Sequence, residues 1–393
     1  MPHILYGDGI HDDTAAIQEL IDSSMEVSLP APKAFYLISK PLELHGNLRL
    51  KLPRYAEIRL ADGANCYMLK NVTVDDEKPR IISRLFHHVN RYSPDAPCEN
   101  IEVCGGIWNF NNKNQNPNPL SSGKYEPDHY TGLCFLFYNV KHLRLSSLTI
   151  KDPANFAVTL DTVSYFAVDH ITFDFNDGNL YQSNMDGIHL CGNCHHGSIE
   201  NLFGTCYDDT VALNAEEGSR GVIDHITIRG IYTENAYSAV RLLSASPECA
   251  VRNVHISDIH GTFYHFCICF MPFYETGKRG LFENITIENI CASKSDRALV
   301  KFYLVHKYRK YGIIDTEGRL DLKNISIRNV HRREFVDSTV PTLQFAENAV
   351  IENLFLENIT AENCTDTENM PFVLNRAEVR GCNAPELLQT EGH

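Results

Sequence analysis

Val222–Gly230 reads VIDHITIRG, Val251–Ile259 reads VRNVHISDI, Leu281–Ile290 reads LFENITIENI, Leu320–Val330 reads LDLKNISIRNV and Val350–Ile359 reads VIENLFLENI. In each, an Asn or His precedes an apolar residue, and polar and apolar residues then alternate at period two, as in a strand with one buried face. Outward from these copies the same signature recurs in CENIEVCGG from Cys98, VKHLRLSSL from Val140, AVDHITFDF from Ala167 and SIENLFGT from Ser198. With the apolar residue after Asn or His as landmark (Ile101, Leu143, Ile171, Leu202, Ile226, Val254, Ile285, Ile325, Leu354), the steps are 42, 28, 31, 24, 28, 31, 40 and 29 residues. The shorter steps are too short for a propeller blade and too rich in strand for a helical solenoid. They fit one turn of a parallel β-helix with three short strands per turn, and the longer steps carry insertions. The recurrent Asn is expected to stack as a ladder, bonding its amide to backbone at the bend of successive coils. Unrelated hairpins in a β-sandwich would leave that Asn without a cause.

A second strand follows each copy: GLCFLF from Gly132, FAVTLD from Phe156, DGIHLC from Asp186, DTVALN from Asp209, SAVRLL from Ser238, FCICFM from Phe266 and ALVKFYL from Ala298. The alternation predicts that Leu160, Leu190, Leu213, Leu242, Phe270 and Phe302 stack inward. The residues one position earlier, Thr159, His189, Ala212, Arg241, Cys269 and Lys301, are then expected to face solvent.

The ends differ from the middle. GDGIHDDTAAIQELIDSS, from Gly7, reads as a turn, an Asp/Thr N-cap and an amphipathic helix with Ala16, Ile17, Leu20 and Ile21 on one face, a natural cover for the open end of a solenoid. The expected fold class is therefore all-β, a single-stranded parallel β-helix with an N-terminal capping α-helix. All of 1–393 is expected to form one domain: cap and first coils over 1–80, regular coils over 81–372, and a loose closing tail over 373–393.

Composition narrows the function. Lys plus Arg number 35 against 50 Asp plus Glu, a formal charge of −15, which argues against binding to nucleic acid or to an anionic membrane. No apolar run approaches the roughly 18 residues of a membrane span. The opening MPHILYGDGIHDD has no leader pattern, so a cytoplasmic location with reduced thiols is expected for the 13 cysteines.

Asp-Asp-Thr occurs at 12–14 and again at 208–210. The first copy precedes the helix and reads as its cap. In the second, Asp209 lies four residues before Leu213, just as Asp186 lies four before Leu190. The two aspartates thus occupy equivalent places on adjacent coils, about 4.8 Å apart, with Asp208 beside them. Three carboxylates on one edge repel one another and raise at least one pKa, which points to acid–base catalysis; the alternative is a capped turn or a Ca²⁺ site.

Asn184-Met185-Asp186-Gly187, Asp208-Asp209 and Val240-Arg241-Leu242 resemble, in order, the three signatures (NTD, DD, RIK) of polygalacturonase-type, family 28-like glycoside hydrolases of the pectate-lyase-like superfamily. The opening GDG…DDT…AIQ is similar to the N-terminal cap of that superfamily, phage tailspike enzymes included. The resemblance implies a right-handed β-helix. It also implies that Asp208 protonates the glycosidic oxygen while Asp186 and Asp209 activate water, with inversion. The chain departs from the family in two places. The Gly-His-Gly segment between the Asp pair and the Arg motif is missing with its coil, and the family Lys is Leu243. Both groups bind galacturonate, so a different or neutral sugar is expected.

The substrate-binding residues expected beside the acids are Asn184, His189, Tyr207, Tyr237, Arg241, His265 and Lys301, with Tyr264 as a further aromatic. Arg241 would orient Asp209 or grip a substrate carboxylate. Lys301 opens a basic, Tyr-interleaved stretch with Lys307, Arg309 and Lys310, and the polar insertion from Trp108 has the character of a cleft wall. Cys191-Gly192-Asn193-Cys194-His195 matches a c-type haem pattern, but a single CxxC at a bend is a weak signal, and no cofactor or metal is expected. The expected partner is an oligosaccharide, pectin-like or from a related plant or bacterial glycan, and homo-oligomers occur among related β-helices. Two alternatives stay open: a polysaccharide lyase or intramolecular glycosyl transferase on the same fold, and a non-catalytic carbohydrate-binding or tailspike-like module.

Overall fold

The computed structural model describes residues 3–74, 96–118, 131–176, 184–272, 279–295, 314–316, 319–338, 341–347, 349–364 and 373–390. Their strands pair in parallel, each with the equivalent strand one coil earlier and one coil later, from Glu26–Ser28 to Gln389–Thr390. The chain is a single-stranded right-handed parallel β-helix with one N-terminal α-helix. In the middle of the molecule each coil alternates a short strand with a long bent one. Ile188–Leu190, Asp209–Asn214, Ser238–Leu243 and Ile268–Met271 form the short-strand face. His195–Thr205, Ile223–Ala236, Val251–Phe263 and Gly280–Lys294 wrap the remainder.

The long strands turn at residues in the left-handed backbone region, and each coil has two such bends five positions apart. His225 and Gly230, Asn253 and Asp258, Asn284 and Asn289, Asn324 and Asn329, and Asn353 and Asn358 all have φ between 51° and 76°. Asn and Asp visit this region at low cost because their short polar side chains bond locally, which is why Asn recurs in the repeat. The two bends also correct the sequence alignment. Pairing joins Leu143 to Phe166, then Gly197, then Ile226, so Ile171 and Leu202 belong to the second bend, behind His170 and Asn201. Both bends carry the same Asn-or-His-then-apolar signature, and two landmarks came from the wrong one.

The ladder also differs from expectation, because the amides bond one another rather than backbone. Asn284 donates to Asn253 at 2.9 Å, Asn324 to Asn284 at 2.8 Å and Asn353 to Asn324 at 2.9 Å. A second ladder runs from Asn358 to Asn329 to Asn289 to Asp258 at 3.0–3.3 Å. In earlier coils the first column changes to rings, with Tyr165 on His196 at 5.0 Å and His196 on His225 at 4.8 Å.

Inside the coils, Leu160, Leu190, Leu213, Leu242 and Phe270 are fully buried, as expected of the inward stack. The next place in this column is taken by Thr316, because Ile314–Thr316 pairs with Ile268–Phe270. Phe302, expected in this stack, lies with residues 296–313 outside the described residues.

The helix spans Thr14–Ser23 and buries Ala16, Ile17 and Ile21, the last two sharing one core with Leu42 and Leu44; Leu20, expected on that face, is exposed. Asp13 holds the N-cap position, yet its carboxylate accepts the amides of Tyr6 and Gly7, while Asp12 accepts the Thr14 amide at 2.9 Å. The expected loose tail is instead ordered stack. Val373–Asn375, Glu378–Cys382 and Gln389–Thr390 each pair with the coil before, adding edges that the faint periodicity after Phe372 did not announce. No helix among the described residues is long and apolar enough to cross a membrane.

Candidate active site

The short-strand face brings the expected outer row together: pairing aligns Thr159, His189, Ala212, Arg241 and Cys269 in one column, one residue per coil. These residues do not face solvent, however; all are buried. Alternation correctly directed them away from the coil interior, but neighbouring residues of the same face and the turn after Asn214 cover them. The Phe156 ring lies flat on the His189 ring at 3.8 Å, the turn after Asn214 supplies Glu216 and Glu217, and the Met271 sulfur lies 2.9 Å from Arg241 Nη1. Lys301, Lys307, Arg309 and Lys310 lie outside the described residues, and the column place after Cys269 belongs to Asp315.

Asp186 and Asp209 hold equivalent places on adjacent coils, as the count of four before the inward Leu predicts, and the Gly187 amide donates to the Asp209 carbonyl at 2.9 Å. Gly187 is required there: a Cβ would stand 2.5 Å from the Thr210 carbonyl oxygen. Asp209 is held on both oxygens, by Ser238 Oγ at 2.5 Å and by Arg241 Nε at 2.6 Å. Ser238 lies four residues before Leu242, so the same count that finds the two aspartates also reaches it. Asp208 is held more loosely, by the Asn184 amide at 3.1 Å and by Arg241 Nη2 at 3.7 Å. Its side chain is 19% exposed, against 4% for Asp186 and for Asp209, so Asp208 is the member of the trio most open to a ligand.

Oxygens of the three carboxylates lie within 4.8 Å of one another. Such a cluster can attract a hard cation, but here Arg241 already supplies positive charge between Asp208 and Asp209. Burial, then repulsion from Asp209 and Asp186, holds the Asp208 carboxyl well above the usual carboxylate range. Burial pushes Asp186 up to about 6, with the His189 ring pulling the other way.

Behind Asp186 stands His189, expected as a substrate-binding residue, and behind it Glu217, which sequence reasoning missed. His189 Nδ1 is 2.7 Å from Asp186 Oδ2, and its Nε2 is 3.0 Å from Glu217 Oε2, a charge contact not aligned as a hydrogen bond. Asn214 Nδ2 donates to that same Oε2 at 2.6 Å. Neighbouring Glu216 accepts from Ser246 at 2.8 Å and from Arg220 at 3.1 Å. The only sequence signal was the paired acids in NAEEGS, directly after the strand that carries Asp209.

Of the expected aromatic contacts, Tyr237 and His265 are half-buried and meet edge to face at 4.5 Å, with Tyr264 5.4 Å from Tyr237. The Arg241 guanidinium lies 5.9 Å from the Tyr237 ring and 5.0 Å from that of Phe266, so these rings form a wall beside Asp208 and Asp209. Tyr207 instead packs into the core, its hydroxyl 3.3 Å from the Phe175 carbonyl. Asn184 adopts φ 54° and contributes its backbone amide to Asp208. Trp108 is buried with its indole N–H on the Gly105 carbonyl, and 119–130 of the polar insertion lie outside the described residues. Cys191 and Cys194 are buried and free, their thiols pushed up by burial, Cys191 to about 11; neither is the exposed thiolate that metals and haem attachment need.

No protein-family model matches this sequence, and neither does any curated protein. Solved structures are similar to it. The endo-xylogalacturonan hydrolase from Aspergillus tubingensis matches with a TM-score of 0.65 and 12% identity, over 98% of this chain and 98% of its own. A mutant tailspike protein of E. coli bacteriophage HK620 matches with a TM-score of 0.65 and 12% identity, over 96% of this chain but only 64% of its own, so this chain spans less than two thirds of it. The family 28 exopolygalacturonase of Yersinia enterocolitica matches with a TM-score of 0.60 and 14% identity, over 99% of this chain and 77% of its own. At such identities the likeness establishes the fold.

Proposed function

We propose that this chain is a glycoside hydrolase. In this reading Asp208 protonates the oxygen of the leaving sugar, and Asp186 and Asp209 activate the attacking water. The observation that carries the proposal is the division of one carboxylate cluster. Asp208, the most exposed member, is the one pushed firmly toward the protonated form, whereas Asp209 has both oxygens occupied by Ser238 and Arg241. One protonated and one ionised carboxyl at a glycosidic bond is what acid–base hydrolysis needs.

The stereochemical part of the proposal is inversion. The close approach of the carboxylate oxygens, within 4.8 Å, is tighter than the roughly 6.5–9.5 Å common between the carboxyl groups of inverting enzymes and nearer the roughly 5–5.5 Å of retaining ones. Inversion is supported instead by the sequence resemblance and by the occupied state of the bases. Asp186 is bonded by His189 and Asp209 by two donors, so neither is a bare nucleophile.

A neutral sugar is the proposed substrate. Asp186, Asp208, Asp209 and Glu217 crowd the site. Arg241 is committed to Asp209 and Met271, and Leu243, where the resembling family has Lys, is buried. A uronate carboxylate would meet like charge there. A cationic base for a lyase is also lacking among the described site residues, since Arg241 is locked on Asp209. The test is a reducing-end assay over paired neutral and uronate oligosaccharides, with NMR of the first-formed anomer. Cleavage of neutral members with inverted product is expected. Release from none of them would overturn the hydrolase reading, and retention would overturn the water-activating roles of Asp186 and Asp209.

A further inference from the structure

Glu217, His189 and Asp186 form a chain in which an imidazole with no exposure has a carboxylate at each ring nitrogen. Phe156 lies against the ring face at 3.8 Å and 10°, packing the ring in the plane that points it at the two carboxylates. A neutral imidazole that donates from Nδ1 to Asp186 would turn a bare Nε2 lone pair toward Glu217 Oε2 at 3.0 Å, from a ring with no exposure. That oxygen also accepts from Asn214 at 2.6 Å, the strong acceptor role of an ionised carboxylate. The arrangement that satisfies all these contacts is an imidazolium between two carboxylates.

We propose that His189 and Glu217 are positioning residues that hold Asp186 in place and keep it the ionised partner of Asp208, with Glu217 holding the positive charge on the His189 ring. This deepens the hydrolase reading and rests on it. With Asp186, Asp209 and Glu217 negative and His189 and Arg241 positive, the cluster carries one net negative charge, and Asp208 is the group left to take a proton. The directions agree: Asp186 and Glu217 hold His189 well above its ordinary value despite burial, and despite its own burial Glu217 is held below the usual range by the His189 contact and the Asn214 bond. Further groups face this cluster without entering that sum. Cys191 directly follows the ring's own strand; Asp208, Asp209 and Cys206 come from the next coil, Arg241 from the coil beyond, and Asp161, bonded to the Ser219 amide, from the coil before.

The experiment combines the pH profile of kcat/KM for wild type, His189→Gln and Glu217→Gln with ¹⁵N NMR of His189 in the wild-type protein. Loss of the imidazolium should move the acid limb up by roughly one to three pH units, the usual effect of one close opposite charge. Glu217→Gln should bring the alkaline limb down as the ring loses one of its carboxylates. Wild-type ¹⁵N shifts should show both ring nitrogens protonated at neutral pH. Unmoved limbs with a uniform fall in rate would mean mere packing and overturn the proposal, as would a neutral wild-type ring at pH 7. If either variant fails to fold, the wild-type NMR still decides. If wild type cleaves nothing, the hydrolase reading fails while the same NMR still accepts or rejects the charged bridge.

Discussion

Two regions of this molecule stack like upon like at the spacing of one coil. At the bends from Asn253 to Asn353 the stacked groups are neutral amides, each donating to the last and accepting from the next, so the column satisfies itself at the surface. On the short-strand face the stacked groups are the carboxylates of Asp186 and Asp209, with Asp208 alongside. Carboxylates have no donor to offer one another, so this column needs His189, Ser238 and Arg241, and it leaves Asp208 strained toward protonation. The same backbone geometry is inert in one place and reactive in the other because amides carry both donor and acceptor and ionised carboxylates carry acceptors alone.

The largest effect should come from the reactive column. Asp208→Asn is expected to lower kcat by about a thousandfold or more, within the span set by losing a positioned acid, with cooperative unfolding unchanged by circular dichroism. Full activity in that variant would erase the distinction between the two stacks. Arg241→Met comes next. It strands Asp209 in a site where its side chain is 4% exposed, and the expected cost is about 3–5 kcal/mol in denaturant titrations. Arg241→Met with Asp209→Asn should recover much of that loss; if it does not, the guanidinium matters for packing rather than charge.

The sign of the pH response follows from the same column. The base must be ionised, so the rate should fall as pH drops through the Asp186 range, near 6. The acid must be protonated, so the rate should fall again once pH passes the raised Asp208 range. A bell-shaped profile of kcat/KM is therefore expected, its limbs belonging to the coupled cluster. A plateau extending down to pH 4 would contradict the assignment of Asp186. The smallest effect belongs to the ladder. Asn324→Gly keeps the left-handed backbone while removing the amide, and should cost about 1 kcal/mol. Asn324→Ala should cost more, since a Cβ is disfavoured at φ 55°.

Much of this was legible in the residues. The alternation with a recurrent Asn specified the parallel coil, and counting four residues back from Leu190 and Leu213 placed Asp186 and Asp209 side by side. What escaped was non-periodic. Phe156 and Met271 sit in neighbouring aligned columns and lean over the outer row, and Glu217 covers it from the turn after Asn214, so a row read as solvent-facing is buried. Ile171 and Leu202 were aligned to the wrong bend because two bends five residues apart share one signature. The tail strands Val373–Asn375 and Glu378–Cys382 are short, and their order comes from edges offered by the preceding coil rather than from their own pattern.

The central claim is that one stacked cluster is divided into an acid and a base before any substrate arrives. Its most direct test is ¹³C NMR of the aspartate carboxyl carbons across pH, assigned with Asp208→Asn and Asp186→Asn. The expected result is that Asp208 keeps its proton at pH values where Asp186 has lost its own, with Asp186 titrating near 6. Asp208 ionising first, in the ordinary carboxylate range, would contradict the account.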